Sequence, residues 1–360
     1  MQTSWKLALT FLAPTVLSLA AETTTPITDD VSSSLFDEFV KTFNKEYQSH
    51  EEKNKRYAIF AANVERITAL NENGRHPYAQ FSAMTRWADM TQEEYSQIHG
   101  LTAANYGCQF DDMTNNTVPL LYPTAEPKDS LDYVAEGATV PVKDQGLCAS
   151  CWAHATTATV EGRLMIDTGS ISSLSEQYLL DCDTSRVCKG CCGGLSERSL
   201  QWLAGDSGGL RGEGAGISSE EGYPYVSESG TDPTAYKCDN SIPLVAQLTG
   251  FGMLPNPTES SMLASITQYG VLSVAMDASI LQFYTSGIIT DYSSCSDSNN
   301  HAVAIVGYGT EGDVNYFKVR NSYSTEFGEE GYFRMSREAS EGCGMYNCVV
   351  AATGATFVTP

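Results

Sequence analysis

One thiol, one imidazole and two side-chain amides in this chain have the types and spacing to open a carbonyl. A thiol is a strong nucleophile only as thiolate. That form is favoured at the start of a helix, where unpaired backbone N–H groups stabilise negative charge, and beside an imidazolium. Cys151 lies in the stretch SCWAHATTATVEGRLMIDTG (150–169), which reads as a helix with Ser150 as N-cap and Gly169 as its stop. On position alone a half-cystine is as good a reading, because the chain holds eleven cysteines. Only two histidines, His154 and His301, lie beyond residue 130 as candidates for the base. His154 is three residues along the same helix, cannot readily swing past its N-terminus, and reads as a packed helix histidine. His301 opens the apolar run HAVAIVGYG, a buried strand whose mouth can face a helix end on another lobe. Asn321 follows the strand 316–320 and can orient the imidazole without trapping a proton. Gln145, six residues before Cys151, can offer an amide N–H to a developing oxyanion alongside the backbone N–H of Cys151.

The elements that must position these groups fall in two kinds. Residues 150–169 and a short helix starting at Leu174-Ser175-Glu176-Gln177 form a helical half. From about 240 the signal shifts to strands at 272–276, 302–308, 316–320 and 332–335, so the fold class is α+β with two lobes. Upstream, Ser32 to about Asn73 is helical and charged, with Phe60, Ile67 and Leu70 at helical spacing, and reads as an amphipathic helix packed on something else. Thr91-Gln92-Glu93-Glu94 is a capped helix start. Residues 101–130, with Pro119, Pro123 and Pro127, read as an extended linker, and Asn115 in Asn115-Asn116-Thr117 is a glycosylation acceptor.

Composition narrows the setting. Lys+Arg 21 against Asp+Glu 44 gives a net charge of −23, which makes nucleic acid and anionic membrane surfaces poor partners. Residues 1–20 carry Lys6, a short apolar stretch and small residues at Ser18-Leu19-Ala20, the pattern of a signal peptide. Export favours disulfides for the cysteines. The two C-x-x-C pairs, 148–151 and 188–191, are separated by 36 residues, against the roughly 15–20 of a zinc ribbon, so no metal site is expected.

The segment QGLCASCWA (145–153) resembles the nucleophile motif of the papain family of cysteine peptidases, cathepsin L-like in particular. Asn300-His301-Ala302-Val303 with Val306-Gly307-Tyr308-Gly309 is similar to that family's histidine motif. Asn321-Ser322 with Gly328-Glu329-Glu330-Gly331-Tyr332 is similar to its asparagine motif. Glu52, Arg56, Phe60, Asn63, Ile67 and Asn71 fill the signature positions of a cathepsin L-type prosegment helix. The resemblance implies a papain-like fold, with a helical left lobe, a β-barrel-like right lobe and an α-helical prosegment. It divides the chain into signal peptide (1–20), inhibitory prosegment (21–126) and mature peptidase domain (127–360). It implies an endopeptidase made as a zymogen, acting through Cys151, His301, Asn321 and Gln145 and an acyl-enzyme. The rival class is a non-catalytic binding protein on the same scaffold, against which the complete set of reactive residues argues.

The same resemblance pairs Cys148 with Cys191, Cys182 with Cys238, and Cys295 with Cys343. It leaves Cys108, Cys188, Cys192 and Cys348 unassigned, with Cys188 and Cys192 near enough to pair. It places substrate along Gly193-Gly194 and in a specificity pocket of Leu195, Ser196, Ala275, Ala302 and Cys348, none of them charged, with Tyr323 nearby. A bulky apolar residue two places before the scissile bond is therefore expected. Implied partners are protein or peptide substrates, the chain's own prosegment and cystatin-like inhibitors, with a monomeric enzyme, no cofactor, and a secretory destination outside the cell or in a lysosome or vacuole. Departures from the family pattern are Ala149 for Gly, Tyr323 and Phe327 for two Trp, and Ala83, Thr85 and Trp87 for Gly, Asn and Phe ahead of Asp89. A phenol covers less than an indole, so a wetter Asn321–His301 hydrogen bond is expected.

Overall fold

The computed structural model describes residues 29–99 and 118–358, apart from 73, 75, 184, 186–189, 206–215, 231–236, 297–298 and 338–341. The leader, Cys108, Asn115 and Cys188 lie outside the described residues.

The helical charged stretch near the N-terminus divides in two, α1 (Asp29–Thr42) and α2 (His50–Glu72). The break falls at Asn44, whose φ of 47° lies in the left-handed region that asparagine tolerates. Phe36, Phe39 and Phe60 join the two helices, with Phe39 and Phe60 ring centres 5.0 Å apart. The signature asparagines hold the chain that follows. Asn63 Nδ2 donates to the carbonyls of Ala88 and Met90, and Asn71 donates to and accepts from the backbone of Phe81. A short strand β1 (Ala79–Phe81) leads to α3 (Gln92–His99). At the head of α3, Thr91 Oγ1 accepts the Glu94 N–H and Glu94 Oε2 accepts the Thr91 N–H, the reciprocal cap its sequence suggests.

In the left lobe α4 (Cys151–Thr168) is buried on nearly every face and packs against α5 (Glu176–Cys182) and α6 (Ser196–Leu203). Trp152, Leu164, Leu179 and Leu200 are its fully buried anchors. The right lobe is a sheet of β1, β2 (Leu131–Asp132), β3 (Ile217–Ser218), β4 (Leu244–Met253), β5 (Leu272–Met276), β6 (Tyr284–Ile289), β7 (His301–Glu311), β8 (Val314–Arg320), β9 (Tyr332–Ser336) and β10 (Val349–Phe357). Their order is β1-β6-β9-β8-β7-β5-β10-β4-β3, with β2 beside β7. The path is open, which corrects the expectation of a barrel-like lobe: its two ends, β1 and β3, pair with β6 and β4 and not with each other. The strand that lies along β6 comes from the N-terminal segment, so the right lobe's sheet takes its edge strand β1 from far upstream in the chain. A helix, α7 (Glu259–Tyr269), interrupts the β half, capped by Thr258.

Bridges join Cys148 to Cys191, Cys182 to Cys238 and Cys295 to Cys343. They close stretches of 43, 56 and 48 residues, and bridges of this span typically contribute about 2–4 kcal/mol. Cys192 is exposed and unbridged, so it does not pair with Cys188.

Candidate active site

Ser150 sits at the N-cap of α4, but its hydroxyl makes no capping bond. It lies 2.7 Å from the Tyr225 hydroxyl, which donates to the Gln145 carbonyl. The first N–H groups of α4 are therefore not taken by Ser150, and those of Cys151 and Trp152, with that of Ala302, act on the Cys151 sulfur. Gly169 ends α4 in the left-handed conformation, as its sequence suggests.

The register of β5, β7 and β8 brings the other groups in. Met276 faces His301, and Ala304 faces Arg320, one residue before Asn321. Asn321 Oδ1 lies 2.8 Å from His301 Nε2 and also accepts the Ser322 N–H. An acceptor at that position puts the imidazole proton on Nε2 and the lone pair on Nδ1. Cys151 packs with Ala155 and Ala302, the residue after His301. His154 is buried, its Nδ1 3.0 Å from the Ser150 carbonyl, the packed helix histidine that its position suggests.

Both reactive groups are fully buried in this form. Burial pushes the Cys151 thiol up to about 12, against the pull of the three backbone N–H groups. Burial likewise pushes His301 down to about 4, only partly offset by the Asn321 bond. Burial thus acts on both groups against their charged forms.

The N-terminal segment closes over the groups beside them, Gln145 and Tyr323. Gln145 Nε2 donates to the Ile98 carbonyl at 3.3 Å and to that of Cys148 at 2.9 Å, while its Oε1 accepts from Ser322 Oγ. A peptide carbonyl from α3 thus occupies the amide that the sequence offers to an oxyanion. Trp87 enters an aromatic cluster with Tyr323 (4.5 Å), Tyr95 (5.7 Å) and Phe327 (6.2 Å). Tyr323 in turn stacks on His301 at 5.1 Å. His301 and Asn321 are 0% and 3% exposed, so the hydrogen bond between them is dry here, contrary to expectation. The reason is Trp87, which supplies from the N-terminal segment an indole against the smaller Tyr323. Beside it, Arg86 makes a two-pronged ion pair with Asp144 at 2.5 and 2.6 Å, and Asp144 also accepts the Gly146 N–H. Gln282 Nε2 holds the carbonyls of Trp87 and Met90, and its own carbonyl accepts from Thr85 Oγ1.

The predicted pocket residues Gly194, Leu195, Ser196, Ala275, Ala302 and Cys348 line one cavity. Gly194 is required there, since a Cβ would come within 2.6 Å of the Trp152 ring. Gly193 precedes it with φ +95°. Tyr323 lies elsewhere, on His301 and in the cleft occupied by Trp87. Glu197, one residue beyond the predicted set, also lines this cavity and adds an acid to it. Cys348 is disulfide-bonded.

Sequence reasoning also missed a buried charge network behind the site. Lys143 Nζ lies 2.7 Å from Glu176 Oε2, and Arg320 Nη1 lies 3.3 Å from Glu161 Oε2. Burial acts to raise the Glu176 carboxyl, but Lys143 and the hydrogen bonds outweigh it and hold it at about 2. Glu161 is on α4 and Arg320 directly precedes Asn321, so the network ties the helix bearing Cys151 to the strand that delivers Asn321.

These features place the protein among cysteine proteases held closed by their own N-terminal segment. Residues 127–353 match the papain family cysteine protease model, and the chain belongs to that family. Residues 36–95 match the cathepsin propeptide inhibitor domain (I29), so the chain is a cathepsin L-like zymogen carrying its propeptide. It is 35% identical over 342 residues to procathepsin L of Mus musculus, covering 92% of this chain and 95% of that one. To vignain of Vigna mungo it is 36% identical over 308 residues, covering 84% and 79%. Among solved structures, digestive procathepsin L 3 of the Tenebrio molitor larval midgut superposes with a TM-score of 0.73 at 32% identity, covering 89% of this chain and 98% of that one.

Proposed function

We propose that the matured enzyme is an endopeptidase in which Cys151 is the nucleophile, His301 the base and then acid, Asn321 the orienter of the imidazole, and Gln145 an oxyanion donor. The observation that carries this reading is the 2.8 Å contact of His301 Nε2 with Asn321 Oδ1, adjoining the sulfur at the head of α4. Once the propeptide leaves, the site is hydrated and Nδ1 can take the thiol proton. The thiolate then adds to the scissile carbonyl, and its oxygen receives the Gln145 Nε2–H and the Cys151 N–H. Nδ1–H gives its proton to the leaving amine and a thioester remains. His301 next takes a proton from water, hydroxide adds to the thioester, and the acid product and the thiol are released. Pocket walls of Leu195, Ala275 and Ala302 favour a bulky apolar residue two places before the scissile bond.

The propeptide is read as 21–126 after a signal peptide at 1–20, with the mature domain from Pro127 to 360 and a secretory, extracellular or lysosomal/vacuolar destination. The start of the family match at residue 127 supports that boundary. A thiol-directed epoxide is expected to label the acid-processed protein once, at Cys151, and to leave the neutral precursor unlabelled. Attachment at Cys192, or none after processing, overturns the assignment.

A further inference from the structure

Glu197 stands in the first turn of α6, 4% exposed, on the wall of the cavity that also holds Ala275, Ala302 and Cys348. Of the other buried acids in the described residues, Glu161 has Arg320, Glu176 has Lys143 and Asp89 has Lys45, while Asp183 and Asp277 are held by hydrogen bonds, Asp277 by the Ser279 and Ser296 N–H groups and the Asn300 amide. Glu197 has no ion pair and no hydrogen bond from another side chain among the described residues. Arg198, the next residue, donates its Nη1 to Gln201 instead. The Glu197 carboxylate has its own backbone N–H but no paired cation among the described residues; a buried carboxylate in that state is costly, and two things relieve it: a proton, or a cation delivered from outside.

The rest of the cavity says what shape that cation takes. Val274 and Ala275 on β5, Ala302 on β7 and Val350 on β10 give apolar walls, on which a methylene chain packs well. We propose that Glu197 makes this cavity accept a lysine or arginine side chain two places before the scissile bond, as a second substrate class beside bulky apolar residues. The aliphatic stem lies along Ala275 and Ala302, and the charged head meets Glu197. This rests on the reading that the cavity receives that substrate residue.

The preference then varies with pH in a definite sense. Burial holds the Glu197 carboxyl above its ordinary value, with its own backbone N–H and the Arg198 charge opposing. The charged group acting on it is Arg198 on its own helix. The facing residues of β5, β7 and β10, with Asn299 and Cys348, carry no charge. As pH falls the acid is neutral and the cavity is simply apolar; as pH rises it ionises and a cationic side chain gains.

The test measures kcat/KM on matched fluorogenic peptides carrying Arg or Leu at that position. Processed wild type, Glu197→Gln and Ala275→Phe are compared at about pH 4 and about pH 6.5. The wild-type Arg/Leu ratio is expected to rise about tenfold or more across that range, the size of effect typical of pairing a buried charge. Glu197→Gln is expected to lower the ratio at the higher pH by about tenfold and to flatten its pH dependence. A wild-type ratio that does not change with pH overturns the proposal without any variant. So does a ratio unmoved by Glu197→Gln while Ala275→Phe alters Leu against Ala selectivity, and then the pocket reading survives. If Ala275→Phe leaves that selectivity unchanged, the pocket reading itself falls.

Discussion

The Cys151→Ala precursor is expected to lose peptide hydrolysis by about 10⁴–10⁶-fold and to remain full length on acid incubation. The sulfur is the atom that the first N–H groups of α4 and that of Ala302 act upon, and it is buried, unlike Cys192, the other unbridged cysteine among the described residues. Cys192 is exposed and follows Cys191 of the Cys148–Cys191 bridge. The replacement removes one buried atom from a small apolar cluster, so the fold and its bridges should persist. Kinetics on a generic fluorogenic peptide, with gel analysis after acid treatment, checks both outcomes. Retained hydrolysis in the variant, or an equal loss in Cys192→Ala, would sink the assignment of Cys151 as nucleophile.

Arg86→Ala is expected to weaken the propeptide's hold by about 2 kcal/mol, roughly 30-fold, and to move processing to higher pH. The two-pronged pair with Asp144 is about a quarter exposed on each side, so solvent screens it only partly. Burial alone would raise the Asp144 carboxyl; Arg86 and the Gly146 N–H outweigh it and hold it below its ordinary value. A depressed carboxyl stabilises the closed form fully above the ordinary value near about 4 and loses that contribution as pH falls through the depressed one. Weakening therefore begins as the medium drops toward about pH 5 and deepens below. Glu94 works in the same sense. Burial tends to raise its carboxyl, but the Thr91 N–H and Arg56 hold it low, so acid also loosens the cap of α3 and its tie to α2. Processing half-times from about pH 3.5 to 6.5 should shift upward in pH for Arg86→Ala and for Asp144→Asn. Two curves that overlay wild type would show that this pair does not set the activation pH.

Much of the site was legible because its chemistry demands rare residue types in a short order. Cys151 at a predicted helix start, His301 at a strand mouth and Asn321 after a strand could be found from local pattern, and the structure brings their carriers together through the β5-β7-β8 register. What depended on contacts distant in sequence was not legible. Trp87 and Tyr323 are 236 residues apart, so the two departures from the family pattern looked like separate weaknesses, yet they meet at 4.5 Å and compensate. Ser150 was placed correctly as the cap residue, but its hydroxyl turns to Tyr225, a partner 75 residues away. Glu197 was missed for a simpler reason: the pocket set borrowed from the family stopped at Ser196. The closure of the sheet was overestimated because the strand along β6 belongs to the propeptide.

Trp87 also gives the molecule an optical report on its own maturation. Of four tryptophans, Trp152 and Trp202 are buried in the left lobe and Trp5 lies outside the described residues, so Trp87 is the described indole whose surroundings change most when the propeptide leaves. Its ring now faces Arg86 on one side and Tyr323 on another, and departure passes it from this dry, cation-lined slot into water. Intrinsic emission should shift to the red as this happens, and Trp87→Phe should abolish the shift. A label-free stopped-flow trace would then separate the moment the propeptide lets go from the slower cleavage that makes the release permanent.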